Sequence, residues 1–325
     1  MKKLNRKNFL VKLFSAVFGS LLIPPMFLQS ANREAVQTFP TEFKPSPELW
    51  RDDEITLAWI GHSTVLLNFY GVKILTDPVL FERIGVYFLG MTFGPQRYSA
   101  PALELEEIPK PDLILLSHAH MDHMDYQTLL DITDRFPNEI DCITAFNTAD
   151  VILDLKWKSL QEMDWGDELE LLGIKFKAYE VKHFGWRYPW EKDRSKGYME
   201  DGRSYNAYLL KKNGKRILFG GDTAFTELFQ KVDGGSVDIA IMPIGAYVPW
   251  RKNHCNPEEA LIMAAEHLKA KYFVPIHCST FKQGTEPIDE PLSWLSKSFK
   301  NYHIELGWNK IGQTFVLDTS SEGFN

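Results

Sequence analysis

Short apolar segments separated by polar turns dominate the chain after residue 50. Residues 55–69 are rich in apolar and β-branched side chains, Tyr70-Gly71 marks a turn, and residues 72–76 form a second apolar segment. Segments of this length and composition, bounded by turn residues, predict β-strands. The same pattern predicts two further hairpins, residues 167–172 with 174–181 and residues 205–210 with 216–219, the latter joined across Asn213-Gly214.

Continuous apolar segments alternate with amphipathic ones along the same region. The continuous segments predict buried strands at residues 112–116, 140–145, 237–242 and 272–276. The amphipathic segments predict helices at residues 126–135, 148–155 and 257–268, the last with Asn256 as its N-cap. Two blocks, each with meandering strands followed by strand–helix units, predict an α/β fold in which two packed sheets are flanked by helices.

The first 31 residues differ from the rest of the chain. Basic side chains within residues 2–7 precede a short apolar stretch, residues 13–28, that contains two prolines. This pattern predicts a cleaved signal peptide or a retained N-terminal membrane anchor at residues 1–31. We therefore expect export across, or anchoring to, an inner membrane (on the periplasmic side if the source is bacterial) rather than a cytoplasmic location. Residues 32–50 are expected to form a linker, and residues 51–325 the folded domain.

Charge and cysteine content exclude some classes of function. The net charge of −7 argues against a nucleic-acid partner, because affinity for phosphate backbones depends on clusters of Lys and Arg. The three cysteines, at positions 142, 255 and 278, form no CxxC pair, so neither a disulfide framework nor a thiolate metal site is indicated. Nothing in the sequence indicates the oligomeric state.

Three histidines and an aspartate fall within six residues directly after the apolar segment 113–116. They are His118, His120, Asp122 and His123, in a chain with only nine histidines. Imidazoles grouped at the end of a buried strand are costly to desolvate, and they repel each other when protonated. A divalent transition metal removes both penalties, because neutral imidazole and carboxylate are ligands that Zn²⁺ prefers. The cluster therefore predicts a metal site.

Three more polar residues stand at the ends of later predicted strands: His183, Asp222 and His277. Taken alone, a histidine in such a position is usually just hydrogen-bonded, and an Asp in a Gly-Asp-Thr turn usually caps the turn. Together with the histidine cluster, they are expected to complete the set of metal ligands.

The order H-x-H-x-D-H, then a later His, a Gly-Asp-Thr and a final His resembles the metallo-β-lactamase superfamily. The resemblance implies a four-layer αβ/βα sandwich, with residues 51–325 as a metallo-hydrolase domain and a binuclear site at the sheet edge. Asp222 would bridge the two metals, and because lactam-hydrolysing members lack such an Asp, antibiotic hydrolysis is disfavoured. The implied ligands of one metal are His118, His120, His183 and Asp222, and those of the other are Asp122, His123, Asp222 and His277.

A narrower resemblance covers most of the chain after residue 50. Segments 59–66, 75–79, 94–98, 243–247 and 254–260 match, in order, the phospholipase D group that hydrolyses N-acylphosphatidylethanolamine. This resemblance places His254 beside the metals. The chain departs from the group in a charged insertion, residues 189–203, and at Cys278, where the group often has Trp. Both differences border the expected substrate cleft, so the substrate does not carry over directly.

The resemblance implies a hydrolase with two divalent metal ions, for which zinc is expected although His and Asp ligands also suit iron and manganese. Asp122 would orient the attacking hydroxide. His254 would stabilise the developing oxyanion or protonate the leaving group, or else serve only as a supporting histidine. Asp77 is expected to fix a loop or orient a ligand histidine, and His62 to have a structural or supporting role.

The resulting expectation is a phosphodiesterase of phospholipase D type acting on N-acylphosphatidylethanolamine-like phospholipids, with possible membrane association. The apolar residues of loop 81–98 would then form either core packing or an acyl-chain groove. A lactonase or other carboxylic-ester hydrolase using the same metals is the alternative enzyme, and a catalytically silent binding scaffold is the alternative outside enzymes.

Overall fold

The computed structural model describes residues 38–88 and 91–317. The predicted signal peptide or membrane anchor lies outside these residues. Within them, we find no helix that is both long enough and apolar enough to cross a membrane.

One seven-stranded sheet combines six strands from the first half of the chain with one strand from its end. The strands are β1 Ile55–Gly61, β2 Thr64–Phe69, β3 Val72–Thr76, β6 Leu113–Leu115, β7 Asp141–Ala145, β8 Ser159–Met163 and β16 Thr314–Leu317. Their order in the sheet is β16-β1-β2-β3-β6-β7-β8. Strands β1, β2 and β3 pair antiparallel, β16 joins β1 antiparallel, and β3, β6, β7 and β8 run parallel.

A second seven-stranded sheet contains β9 Glu168–Leu171, β10 Ile174–Glu180, β11 Asn206–Lys212, β12 Lys215–Phe219, β13 Ile239–Pro243, β14 Tyr272–Ile276 and β15 Glu305–Leu306. Their order in the sheet is β15-β14-β13-β12-β11-β10-β9. The sheet is antiparallel from β9 to β12 and parallel from β12 to β15. A separate hairpin joins β4 Val86–Phe88 to β5 Met91–Phe93.

Three α-helices are present among the described residues: α1 Tyr126–Arg135, α2 Pro257–Ile262 and α3 Glu290–Ser298. Helix α2 continues into a π-helical turn, Met263–His267. Asn256 caps α2 as predicted, because its side chain accepts a hydrogen bond from the Glu259 N–H at 2.8 Å. Short 3₁₀ turns lie at Pro47–Leu49, Leu105–Glu107, Ala149–Val151, Arg194–Lys196, Leu228–Lys231 and Phe299–Asn301.

The two sheets pack face to face around one apolar core, with helices outside. Alternate residues of β1 point to opposite sides of the first sheet. Leu57 and Trp59 join a core cluster with Tyr208 and other residues of the second sheet. Ala58 and Ile60 join a second cluster that holds Leu129 and Ile132 of α1, whereas Leu261 of α2 and Leu295 of α3 pack with the second sheet. The predicted α/β sandwich is therefore confirmed.

The predicted helix at residues 148–155 is wrong. The structure has only the 3₁₀ turn Ala149–Val151 there. The carbonyl of Ile152 accepts hydrogen bonds from the N–H of Leu155 at 3.2 Å and the indole of Trp157 at 2.9 Å, so the chain turns tightly instead of continuing as a helix. Strands β8, β15 and β16 and helix α3 were not predicted. Strands β8 and β16 lie at the edges of their sheet, and two of the five side chains of β8 and two of the four of β16 are exposed, so their sequences lack a continuous apolar segment.

The predicted linker and the apolar loop both contact the domain in the described part. Phe39 pairs with Ser99, and the backbone of Phe39 donates to the Tyr98 carbonyl at 2.8 Å. Within loop 81–98, which also contains β4 and β5, Ile84 is buried in a small cluster with Val79 and Phe281. Part of this loop therefore serves core packing, as one of the two predicted alternatives has it.

Candidate metal centre

The predicted ligands all lie just beyond the ends of strands, at one edge of the sandwich. The first group follows β6, and the later ligands follow β10, β12 and β14. Because the C-terminal ends of neighbouring parallel strands open at the same edge, residues distant in sequence converge there. Asp125 ends the first ligand loop, since its carboxylate accepts from the Thr128 N–H at 3.2 Å and caps helix α1.

His118, His120 and His183 form one group of predicted ligands. The His118 Nε2 and His120 Nδ1 atoms lie 2.8 Å apart, and His183 Nε2 lies 3.2 Å from the same His120 atom. Ligands of a tetrahedral zinc at about 2.0–2.1 Å are separated by about 3.3 Å, so these spacings suit a shared metal ion. The three nitrogens point at one another, an arrangement that a bound cation would satisfy.

Asp122, His123 and His277 form a second group. The Asp122 Oδ2 atom lies 3.3 Å from His123 Nε2 and 3.2 Å from His277 Nε2. Asp222 lies between the groups: its Oδ2 is 3.1 Å from both His123 Nε2 and His277 Nε2, and 4.0 Å from His183 Nε2. The structure thus brings all seven predicted ligands together.

The chemistry of these side chains fits a divalent metal ion. Burial, together with the neighbouring charge of His123, lowers the pKa of His118 well below its usual range, and burial with the charge of His183 does the same for His120. Both imidazoles are therefore neutral and able to donate a lone pair. Asp222 Oδ1 is buried with no hydrogen-bond partner among the described residues, which suits an atom that binds a cation.

In the second group, the neighbouring carboxylates raise the pKa of the histidines instead of lowering it. Burial alone would lower the pKa of His277, but the charge of Asp222 and hydrogen bonds with Asp122 and Asp222 raise it to about 9. The charges of Asp222, Asp122 and Asp77 likewise raise the pKa of His123 well above its usual range, against the effect of burial. Without a bound metal, the imidazoles of His123 and His277 are therefore protonated near neutral pH.

Two contacts fix the orientation of ligand histidines. The Nδ1 of His123 lies 2.6 Å from Asp77 Oδ2, which confirms the prediction that Asp77 orients a histidine. The Nδ1 of His183 donates to the Asn253 carbonyl at 2.9 Å. Each bond leaves the other ring nitrogen, Nε2, facing the centre, as partners of metal-bound histidines commonly do.

Asp122 has two further partners, His62 and Gln283. His62 Nε2 lies 3.0 Å from Asp122 Oδ2, and burial with the charge of His277 lowers the pKa of His62 to about 3. This neutral imidazole supports Asp122 by donating a hydrogen bond. The Gln283 amide donates to the same oxygen at 2.7 Å. Gln283 was not predicted, and no motif or spacing in the sequence indicates it.

Comparison with known proteins agrees with this geometry. The family model described as the beta-lactamase superfamily domain matches residues 73–278, well over half of the chain. The chain belongs to this superfamily. It is a member of a group of metal-dependent hydrolases with a His/Asp cluster able to bind metal.

This beta-lactamase superfamily member is similar in sequence to several known proteins and in fold to solved structures. It is 30% identical to N-acyl-phosphatidylethanolamine-hydrolyzing phospholipase D 1 of Caenorhabditis elegans, over 79% of this chain and 73% of that protein. It is 29% identical to an uncharacterized Mycobacterium tuberculosis protein over 82% of this chain and 71% of that one. A metallo hydrolase from Ignicoccus hospitalis has the same fold, with a TM-score of 0.56, 20% identity, and coverage of 82% of this chain and 99% of that chain.

A cavity of about 710 Å³ opens directly over the ligand groups of this superfamily member. Its floor includes His120, Asp122 and Asp222, and its walls combine aromatic and polar side chains. The walls include Phe184, Trp186, Lys196, Trp250, His254 and Gln283. A mostly apolar cavity with a few convergent polar groups is typical of a small-molecule site.

His254 lies in this cavity beside the ligands, where the family resemblance put it. Its Nδ1 is 3.7 Å from Asp222 Oδ2 and has no hydrogen-bond partner among the described residues. Burial is the main reason that the pKa of His254 is lowered to about 3, so the ring is neutral at physiological pH. A neutral imidazole can donate one hydrogen bond and accept another, but it does not carry the extra proton that a general acid transfers.

Proposed function

We propose that this chain is a binuclear zinc phosphodiesterase of phospholipase D type that hydrolyses N-acylphosphatidylethanolamine-like phospholipids. The observation that carries the proposal is the position of Asp222 Oδ2, 3.1 Å from His123 and His277 and 4.0 Å from His183. A carboxylate shared in this way suits two ions roughly 3.5–4 Å apart, the separation common in two-metal phosphoesterases. The relative from C. elegans, whose name specifies that substrate, supports the lipid class.

The distances between the side-chain atoms divide the residues into two groups, one for each proposed metal ion. His118, His120 and His183 would hold one ion, and Asp122, His123 and His277 the other, with Asp222 contributing to both. Two ions bound there would lower the pKa of a water molecule to about 7 and neutralise charge developing on the phosphate oxygens.

Asp122 is suited to orient the attacking oxygen. Its Oδ2 already accepts from His62 at 3.0 Å and from Gln283 at 2.7 Å, so the carboxylate is held in one orientation. A fixed carboxylate at the cavity floor can accept a hydrogen bond from the nucleophile and aim it at phosphorus.

His254 is suited to stabilise the charge that develops on an oxygen of the substrate. It lies at the same cavity, and its pKa of about 3 keeps it neutral near pH 7. Of the two roles that the sequence left open, donation of a hydrogen bond to an oxyanion is therefore favoured over protonation of the leaving group, which needs an imidazolium.

The cavity walls are suited to a lipid substrate. Phe184 and Trp186 pack with ring centroids 4.8 Å apart, and Phe184 also lies 4.4 Å from the His120 ring. This apolar wall next to the ligands would contact acyl or glycerol carbon atoms. Exposed Trp250 on the cavity and exposed Trp190 in the adjacent loop support association with a membrane surface, to which residues 1–31 would contribute as a signal peptide or anchor.

The test combines metal content with substrate turnover. We expect purified wild type to carry about two equivalents of zinc and to release phosphatidic acid from N-acylphosphatidylethanolamine. Asp222→Ala should abolish turnover because it removes a ligand from both metals. Asp233→Ala is the matched control, since Asp233 is exposed and pairs with Lys177 on the surface.

The same assay includes bis(p-nitrophenyl) phosphate and a lactone panel. Turnover of lactones without turnover of either phosphodiester would contradict the phosphodiesterase and support a carboxylic-ester hydrolase. Far less than one equivalent of metal, not restored by added Zn²⁺, would instead support a silent scaffold. Turnover by Asp222→Ala equal to wild type would overturn the bridging role of Asp222.

A further inference from the structure

The loop of residues 185–203, which leads from His183 to β11, is closed and pinned to the domain. At its base Gly185 and Arg203 meet so closely that a Cβ on Gly185 would lie 2.2 Å from the Arg203 carbonyl oxygen. Along the loop, Arg194 pairs with Asp164 at 2.5 Å and lies 4.1 Å from the centre of the Trp165 ring. This loop includes residues 189–203, the charged segment that the sequence predicts to be an insertion relative to the phospholipase group, and it forms one wall of the cavity.

From this loop, Arg187 reaches into the loop that carries the first metal ligands. Its Nη1 donates to the Ala119 carbonyl at 2.7 Å and to the Met124 carbonyl at 2.9 Å. These two carbonyls bracket His120, Asp122 and His123. One cationic nitrogen therefore joins the two ends of the turn from which three of the proposed ligands project.

The position of Arg187 is fixed by its own neighbours. Its backbone N–H donates to Glu191 Oε2 at 2.7 Å, and the carboxylate of Glu191 accepts two hydrogen bonds of 2.9 Å from Arg203. Arg203 in turn donates to the Asn147 carbonyl at 2.7 Å and pairs with Asp150, both just after β7. The backbone of Arg187 is thus held by a series of charged hydrogen bonds, which are stronger and more directional than neutral ones.

We propose that Arg187 is a positioning residue that sets the geometry of the metal-ligand loop and thereby controls metal affinity. The inference rests on the metal-binding part of the proposed function and not on its lipid substrate. Arg187 lines the cavity but is not a proposed metal ligand; its side chain acts on the ligands through the backbone of residues 119–124. Groups that orient metal ligands without binding the metal typically change metal affinity about 10–100-fold when removed.

The experiment measures zinc affinity of the purified full chain by competition with a chromogenic chelator. Arg187→Met keeps the aliphatic stem and removes the donors, and we expect it to weaken zinc binding by about 10–100-fold. Arg187→Lys keeps a charge and donors on a shorter side chain, and it should restore part of the affinity. Arg194→Met is the matched control, because Arg194 anchors the same loop without touching the ligand loop, and it should bind zinc as wild type does.

The outcomes separate positioning from general stability. Equal loss of affinity in Arg187→Met and Arg194→Met, or wild-type affinity in Arg187→Met, would overturn the proposal. If circular dichroism shows that the methionine variants do not fold, Arg187→Lys and Arg194→Lys decide: weaker zinc binding in the first alone supports it, and equal binding overturns it. Wild type that binds zinc but leaves N-acylphosphatidylethanolamine intact would contradict the proposed substrate and not the role of Arg187.

Discussion

Asp77 accepts a hydrogen bond from His123 Nδ1 at 2.6 Å, and neither side chain is exposed to solvent. The same carboxylate accepts from the Ser117 N–H at 2.7 Å and the Ser117 hydroxyl at 2.5 Å. Asp77 therefore ties the end of β3 to the start of the ligand loop. The bond also fixes the proton on Nδ1 of His123, which leaves its Nε2 facing Asp222.

Replacing Asp77 should weaken metal binding although the residue is not a proposed ligand. Asp77→Ala removes the acceptor of all three bonds and leaves buried donors unsatisfied, at about 1–3 kcal/mol for each. We expect a large loss of unfolding free energy in chemical denaturation and a loss of zinc affinity of about 10–100-fold. Asp77→Asn keeps one carbonyl oxygen and should lose less of both. Zinc affinity equal to wild type in Asp77→Ala would contradict the orienting role.

Replacing His254 should reduce turnover without removing metal. Loss of one donor to a developing oxyanion typically lowers kcat by about 10²–10³-fold, and we expect this for His254→Ala with zinc content unchanged. His254→Gln keeps an N–H donor and should be less affected.

The pH profile of kcat provides the check on His254. Because burial lowers the pKa of His254 to about 3, the ring stays neutral from pH 5 to 8 and contributes no ionisation in that window. An acidic limb near pH 6.5 in wild type that disappears in His254→Gln would show instead that the residue works as an acid.

Lys196 should assist binding of anionic substrates. It lines the cavity wall, and among residues 38–88 and 91–317 no carboxylate forms an ion pair with it. An exposed charge interaction is worth about 0.2–1 kcal/mol, so Lys196→Met should raise KM for a phosphodiester about 1.4- to 5-fold and leave kcat unchanged. Lys192→Met is the control, because Lys192 lies in the same loop but is paired with Asp201. A KM effect that does not diminish at high salt would argue against an electrostatic role.

The elements predicted best from the sequence are strands whose own residues form a recognisable apolar pattern. Strands β1 to β3 and β14 are predicted closely because their buried residues form apolar segments bounded by turns. The convergence of the ligand residues was predictable for a related reason: each follows a strand that ends at the same edge. Edge strand β8, with the mixed sequence Ser-Leu-Gln-Glu-Met, gives no comparable signal because two of its five side chains are exposed.

The supporting residues of the site were harder to predict because their partners are remote in the chain. Gln283 is 161 positions from Asp122, and Arg187 binds backbone carbonyls 63 and 68 positions away. A glutamine or arginine in a polar loop carries no periodicity that reveals such a contact. For Asp77 the sequence predicted a histidine partner only in general terms, and the structure identifies that histidine as His123.

Zinc binding to the metal-free protein should release protons at neutral pH. The charges of Asp222 and Asp122 overcome burial to raise the pKa of His277 to about 9, and the pKa of His123 is also raised. Both imidazoles are therefore protonated at pH 7, and each must give up the proton on Nε2 to bind metal, so about two protons should be released per molecule. Zinc affinity should then rise from pH 6.5 towards pH 9.

The stability of the metal-free protein should change in the opposite direction over the same window. Because the folded pKa of His277 exceeds the unfolded value of about 6.5, its contribution to stability is complete below pH 6.5 and is lost as the pH rises through about 9.

Titration calorimetry at pH 7, in two buffers with different ionisation enthalpies, measures the number of protons that zinc binding releases. His277→Gln should release about one proton fewer than wild type. Binding enthalpies that do not depend on the buffer would contradict the protonated state of these two histidines.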